Sequence, residues 1–206
     1  MFRRTCLVLA IALGTPVAGT GANAQATSDV PRRPWPSAEA VIKDTAGKNV
    51  GFLSVDHRLY NKSRLTVTVS GLKAGYHGFH IHTRGVCDPK AVDPVTGSPF
   101  SSAGAHFTIH PATHGGHSGD LPNLLVAEDG TGETTVVTDR FRVGQLFDSD
   151  GSSIVIHTLP DNHANIPDRY RPADPGDPAG GGGPDVETLK AGDSGGRVAC
   201  GVITRN

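Results

Sequence analysis

Hydrophobic and polar residues alternate in short runs along most of the chain. Leu65-Thr66-Val67-Thr68-Val69-Ser70 alternates cleanly, as a strand with one buried face does. Ala38–Lys43 reads the same way and runs into a turn at Thr45-Ala46-Gly47-Lys48. Val50–Val55, Gly78–His82, Leu124–Ala127, Gly132–Val137, Ser153–His157 and Val198–Ile203 bring the set to eight expected strands. Short strands separated by turn residues predict an all-β domain, an antiparallel sandwich or barrel. No amphipathic helix stands out; residues 139–148 are ambiguous, with Phe141, Val143, Leu146 and Phe147 loosely spaced. Two stretches break the rhythm. Thr83–Asn123 has no strand pattern, nor has Thr158–Gly196, which contains glycine at every position from Gly180 to Gly183. Loops this long in a compact domain are functional or disordered, and the four histidines of the first favour function there.

Composition narrows the class. A length of 206 residues fits one domain, or at most a small pair. Charged residues are 19% of the chain and the net charge is −1, which argues against a charged disordered tail and against a nucleic-acid binder relying on an overall positive field. With 27 glycines, 15 prolines and 5% aromatics, a loop-rich architecture is expected rather than a helical bundle.

The first 24 residues read as an export signal: Arg3 and Arg4, an apolar stretch from Cys6 to Gly14 too short to span a bilayer, then Ala22-Asn23-Ala24 as a cleavage site. The expected organisation is a signal peptide over 1–24, a proline-rich flexible lead-in over 25–37 and one domain over 38–206, with no membrane span in the mature chain. The expected location is the periplasm or the extracellular side of the cell envelope. Cleavage removes Cys6 and leaves Cys87 and Cys200, an even pair that suggests one disulfide in an oxidising compartment, two free thiols being the alternative. A bridge closing 113 residues is worth roughly 4–5 kcal/mol on the chain-entropy model.

Ten histidines are the chemical signal: His57, His77, His80, His82, His106, His110, His114, His117, His157 and His163. His80 and His82, two apart on a strand, project from one face. His157 ends another strand. Three imidazoles converging on one point suit copper or zinc. Between His106 and Asp120, four histidines and a carboxylate occupy 15 residues, enough for a tetrahedral zinc site of three nitrogens and one oxygen. A solvated polar loop is the alternative, and it leaves that concentration of histidine unexplained.

Gly78-Phe79-His80-Ile81-His82, Ala103-Gly104-Ala105-His106-Phe107, His117-Ser118-Gly119-Asp120-Leu121, His157 and Gly196-Arg197-Val198-Ala199-Cys200-Gly201-Val202-Ile203 resemble, in order, the motifs of the copper/zinc superoxide dismutase family, its exported bacterial members above all. The resemblance covers Ala38 to Ile203. It implies an eight-stranded antiparallel Greek-key sandwich or barrel, immunoglobulin-like, with two long functional loops. It also implies copper and zinc ions as cofactors and superoxide as substrate, with no nucleic-acid partner. By that resemblance His80, His82, His106 and His157 hold copper, and His106, His114, His117 and Asp120 hold zinc. His114 stands eight residues after His106 and precedes a glycine, as the family's ligand does, whereas His110 does not. Only Gly115 and Gly116 separate His114 from His117, fewer residues than is usual in the family. Asp161 resembles the carboxylate linking copper-side and zinc-side histidines, Cys87 and Cys200 the family disulfide, and Arg197 the arginine that binds the anionic substrate. The implied reaction is dismutation of superoxide by copper redox cycling, with zinc-held His106 as proton donor. A copper-only dismutase and a non-catalytic copper-binding relative are the competing readings, and both a monomer and a homodimer fit. His57, His77, His110 and His163 are left to structural or solvent-facing roles.

Overall fold

A computed structural model describes residues 37–167 and 182–206. The expected signal peptide, nearly all of the lead-in and Gly180–Gly181 of the glycine tract lie outside the described residues.

The first hairpin follows directly from the alternation. In β1 (Ser37–Asp44), Ala38, Ala40 and Ile42 point inward. In β2 (Asn49–Arg58), Val50, Leu53 and Val55 do the same. The turn between them is closed by Asp44, whose Oδ1 accepts the N–H groups of Ala46 and Lys48, both at 2.9 Å. β3 (Lys62–Val69) buries Leu65, Val67 and Val69 against the same core. It starts three residues earlier than the pattern predicts, because its pairing with β2 extends to Arg58 opposite Lys62.

Next along the chain come β4 (Gly75–His77), β5 (Phe79–His82), β6 (Leu124–Val126), β7 (Gly132–Thr138), β8 (Ser153–His157), the single-turn α1 (Thr188–Ala191), β9 (Arg197–Val202) and β10 (Thr204–Arg205). Every pairing is antiparallel. The main sheet runs β5-β8-β9-β1-β2-β3-β7, with β10 on β1, and β4 pairs with β6. Neighbours such as β3–β7, β8–β5 and β9–β1 are distant in sequence, which is Greek-key connectivity. β4 and β5 are one path interrupted at Gly78. β4 pairs with β6, and β6 turns into β7 at residues 127–131. The sheet therefore curls around its core. The eight expected strands are present, and β4 and β10 are additional, too short to reveal an alternation.

The core is built from Ile42, Leu53, Leu65, Phe79, Ile81, Leu124, Ile154 and Ile156, each 0–1% exposed. Full burial of one such side chain contributes about 1.5–3 kcal/mol. The ambiguous stretch 139–148 forms a short 3-10 turn at Val143–Leu146 whose Phe141, Val143 and Leu146 join this core.

β5 and β8 are buried on both faces. Their register explains why. Phe79, Ile156 and Ala199 form an inward row, and His80, Val155 and Cys200 form an outward one. The outward row is covered by loop 83–123: Phe100 and Ala103 pack on Val155 and Cys200 in a second, smaller apolar cluster, beside the Cys87–Cys200 disulfide. The long loop is thus seated on the sheet, and the histidines lie beneath it.

Candidate metal centre

Two further stretches of the loop lie alongside β5, with His106 bridged to His82 and Asp120 bridged to His80. Gly119 permits this approach, since a Cβ there would stand 2.4 Å from the Ile81 carbonyl oxygen. Strand alternation supplies His80 and His82, the end of β8 supplies His157, and the loop supplies His106.

Each ring is oriented by one of its nitrogens. His82 Nδ1 donates to the Gly104 carbonyl at 2.9 Å, and His157 Nδ1 to the Gly195 carbonyl at 3.0 Å. His80 Nε2 donates to Asp161 Oδ2 at 2.9 Å. A carbonyl or carboxylate oxygen can only accept, so the opposite nitrogens carry lone pairs. Those atoms, His80 Nδ1, His82 Nε2 and His157 Nε2, are buried without a hydrogen-bond partner, as is His106 Nε2. The four rings offer ligand atoms within 4.8 Å of one another. Burial without pairing is unfavourable for polar nitrogen, and convergent lone pairs of this kind fit a bound cation.

A second cluster adjoins the first. Asp120 Oδ1 lies 2.8 Å from His106 Nδ1 and 3.3 Å from His114 Nδ1, and the Asp120 carboxylate lies 3.2 Å from His117 Nδ1. Three Nδ1 atoms around one carboxylate are the donor set of a tetrahedral zinc site. His106 belongs to both clusters, with Nε2 toward one and Nδ1 toward the other.

Asp161 couples them, its Oδ2 on His80 and its Oδ1 2.7 Å from His114 Nε2. Asn123 holds Asp161 by its backbone: Asn123 Oδ1 accepts the Asp161 N–H at 2.7 Å, and Asn123 Nδ2 donates to its carbonyl at 2.8 Å. Gly192, at φ 58°, crosses directly above, where a Cβ would lie 1.8 Å from Asp161 Oδ1.

Burial lowers the basicity of His80, His82 and His157, and pushes His106 down to about 4. These imidazoles are held neutral, as metal ligation requires. Burial acts against protonation of His114 too, but hydrogen bonds to Asp120 and Asp161 outweigh it and raise it to about 9. Burial would raise Asp120 and Asp161; hydrogen bonds from His106 and His114 to Asp120, and from His114 and His80 to Asp161, hold both below the usual carboxylate range.

Arg197 reaches the same region through a break in the ladder. Strict alternation would place it on the inward face with Ala199. A register shift at Ile156/His157 sets Arg197 opposite His157 instead. Its guanidinium donates to the Phe100 carbonyl at 2.5 Å and to the Gly104 carbonyl at 2.7 Å, the latter shared with His82. Two of five N–H groups are used, leaving others to meet a ligand.

Residues 50–203 match the family model described as Copper/zinc superoxide dismutase (SODC). The chain belongs to the copper/zinc superoxide dismutase family. It is 43% identical over 148 residues to the Cu-Zn superoxide dismutase of Mycolicibacterium paratuberculosis, covering 70% of this chain and 63% of that one. Two further mycobacterial relatives are covered over 57% of their length, so the chain spans about three fifths of these proteins. The Deinococcus radiodurans Cu-Zn superoxide dismutase is 33% identical over 212 residues, with 98% of both chains covered. Among solved structures, the Brucella abortus Cu/Zn superoxide dismutase superposes with a TM-score of 0.58 at 26% identity, covering 82% of this chain and 99% of that one.

Within this dismutase fold, each residue that the sequence nominates as a ligand lies in one of the two clusters, and the Cys87–Cys200 disulfide is present with Cα atoms 5.6 Å apart. Four histidines stand outside. His110 is exposed, and His57 sits on β2. His163 Nδ1 lies 3.3 Å from Asp161. His77 is buried with both ring nitrogens on carbonyls, 2.6 Å from His157 O and 2.8 Å from Lys73 O. Asn123, Gly192 and the carbonyls of Phe100, Gly104 and Gly195 were not nominated. A backbone carbonyl has no residue signature, and an Asn in a loop resembles any turn residue.

Proposed function

We propose that this chain is a superoxide dismutase, converting two superoxide anions and two protons to dioxygen and hydrogen peroxide. Copper would be held by His80, His82, His106 and His157, and zinc by His106, His114, His117 and Asp120. The observation that carries this reading is His106, a single buried imidazole contributing one nitrogen to each donor set. When bound, copper supplies the one-electron exchange that takes one superoxide to dioxygen and the next to peroxide, and zinc supplies fixed charge without redox chemistry.

The remaining steps belong to the chain. Arg197 offers its free N–H groups to the incoming anion, fixed by the Phe100 and Gly104 carbonyls. His106, held at Nδ1 beside Asp120, carries a proton on Nε2 and delivers it to the second superoxide, with water giving the other. Asp161 and Asn123 fix the rings of His80 and His114. His114 is favoured over His110 because it is buried against both carboxylates while His110 is exposed.

The same proposal includes export, with processing after Ala24, to the periplasm or the extracellular side of the envelope. No helix among the described residues is long and apolar enough to cross a membrane. Elemental analysis of the purified protein, paired with a superoxide-consumption assay before and after chelation, is the test. One copper and one zinc per chain, with activity lost on chelation, is the expected result. Copper without zinc would establish the copper-only reading, and metal-loaded protein without activity would overturn the dismutase reading.

A further inference from the structure

Arg197 is the cation that meets the substrate, and the field around it decides which anions gather there. Loop 83–123 carries Asp93, a carboxylate whose charge acts on Arg197. Residues 93–98 form a closed turn: the Asp93 N–H donates to the Ser98 carbonyl at 2.8 Å, and the Gly97 N–H to the Asp93 carbonyl at 2.9 Å. The turn is docked on the strand that carries the arginine, because Ser98 Oγ accepts the Arg197 backbone N–H at 2.9 Å. Asp93 Oδ1 is fixed by three donors, the N–H groups of Val95 at 3.0 Å and Thr96 at 2.8 Å and the Thr96 hydroxyl at 3.1 Å. Those donors hold Asp93 below the usual carboxylate range, and its charge and that of Arg197 act on each other. No direct ion pair forms; among the described residues Arg197 is bonded to carbonyls and not to a carboxylate.

We infer that Asp93 is a positioned counter-charge that attenuates the pull of Arg197 on small anions, setting the affinity of the site for anions and the salt dependence of substrate capture. The turn ties Asp93, through Ser98, to the strand that carries Arg197, and leaves the guanidinium N–H groups that an anion needs without a carboxylate on them. A fixed negative charge there weakens retention of any anion, including competitors that would otherwise block the site. This deepens the dismutase reading, since it concerns the substrate side of the same site.

The test uses copper- and zinc-loaded protein for azide binding and kinetics, and the metal-free protein for chloride binding. Asp93→Asn removes the charge and keeps an acceptor oxygen for Val95 and Thr96; Asp93→Ser keeps a hydroxyl acceptor and serves if the amide disturbs the turn. Azide affinity is measured by titrating the copper absorption, and chloride binding to metal-free protein by line-broadening NMR. Expected at low ionic strength is roughly two- to fivefold tighter anion binding in either variant, with a steeper fall of kcat/KM as salt is added. The gain should vanish at high salt and in an Arg197→Gln background, where the field it modulates is gone. Unchanged anion affinity in both Asp93 variants, or an equal gain without Arg197, overturns the inference. Failure of the dismutase reading is separately visible as absence of superoxide consumption by wild type, and the chloride measurement still decides the role of Asp93 in that case.

Discussion

At the scale of single residues, the site is a matter of which nitrogen each imidazole leaves free. His80, His82 and His157 each hand one nitrogen to an oxygen and turn the other inward. His106 has no such anchor to spare, since its two nitrogens face the two clusters. Replacing it with alanine removes both the shared ligand and the proposed proton donor. For His106→Ala, kcat/KM should fall by at least about 100-fold in pulse-radiolysis or stopped-flow decay of superoxide, the usual worth of a positioned acid. Asp161 acts through others. Asp161→Asn puts an amide where two ring N–H groups need acceptors, so zinc affinity should drop about 10- to 100-fold in competition with a chromophoric chelator while the fold is retained. The ligand side chains were legible in the sequence because donor chemistry and spacing are written in residue identity. Their partners were not: the Gly104 and Gly195 carbonyls look like any peptide oxygen, and the role of Asn123 exists only once residues 123 and 161 meet.

At the scale of elements, one strand register decides almost everything. Period-two alternation on β5 and β8 was readable, and it separates Phe79, Ile81, Ile154 and Ile156 from His80, His82, Val155 and His157. The register shift beside His157 was not readable, although it alone moves Arg197 from the face of Ala199 to that of the histidines. No sequence pattern announces a bulge whose cause is pairing with a distant strand. β4 was hidden for a similar reason: Gly78 splits the path because loop 158–196 passes close by, and a Cβ there would meet Ser194 at 2.8 Å. The element that seats the site is the disulfide loop. Replacing Cys87 and Cys200 with serine releases residues 83–123 from β9, and with them the Phe100 and Gly104 carbonyls that aim Arg197. Stability to urea should fall by up to roughly 4–5 kcal/mol. Activity should fall even in urea-free buffer where circular dichroism shows the strands intact, because the arginine loses its supports before the sheet loses its core.

At the scale of the whole molecule, two kinds of burial are combined. The sheet encloses an apolar core that needs nothing from the metals. The covered outward face buries polar nitrogens that have no hydrogen-bond partner among the described residues: His80 Nδ1, His82 Nε2, His106 Nε2 and His157 Nε2. Each such atom costs about 1–3 kcal/mol when left unsatisfied. Metal ions that bind only the folded chain convert this penalty into stabilisation, by about 4 kcal/mol for each site when free metal exceeds its dissociation constant a thousandfold. A domain of this size gains roughly 2–4 °C in Tm per kcal/mol. Calorimetry should therefore place the chelated protein about 8–16 °C below protein reloaded at one site, with a larger gap when both are filled. The metal-free protein should still melt cooperatively, because its apolar core and its disulfide are intact without metal. Hydrogen exchange should locate the difference: amides of Ile81, Phe107 and Gly119, bonded among β5 and the covering loop, should slow on metal binding, while those of the β1–β2–β3 hairpins change little. Uniform slowing across all strands would mean that the metals stabilise the whole sheet rather than clamp the loop onto it.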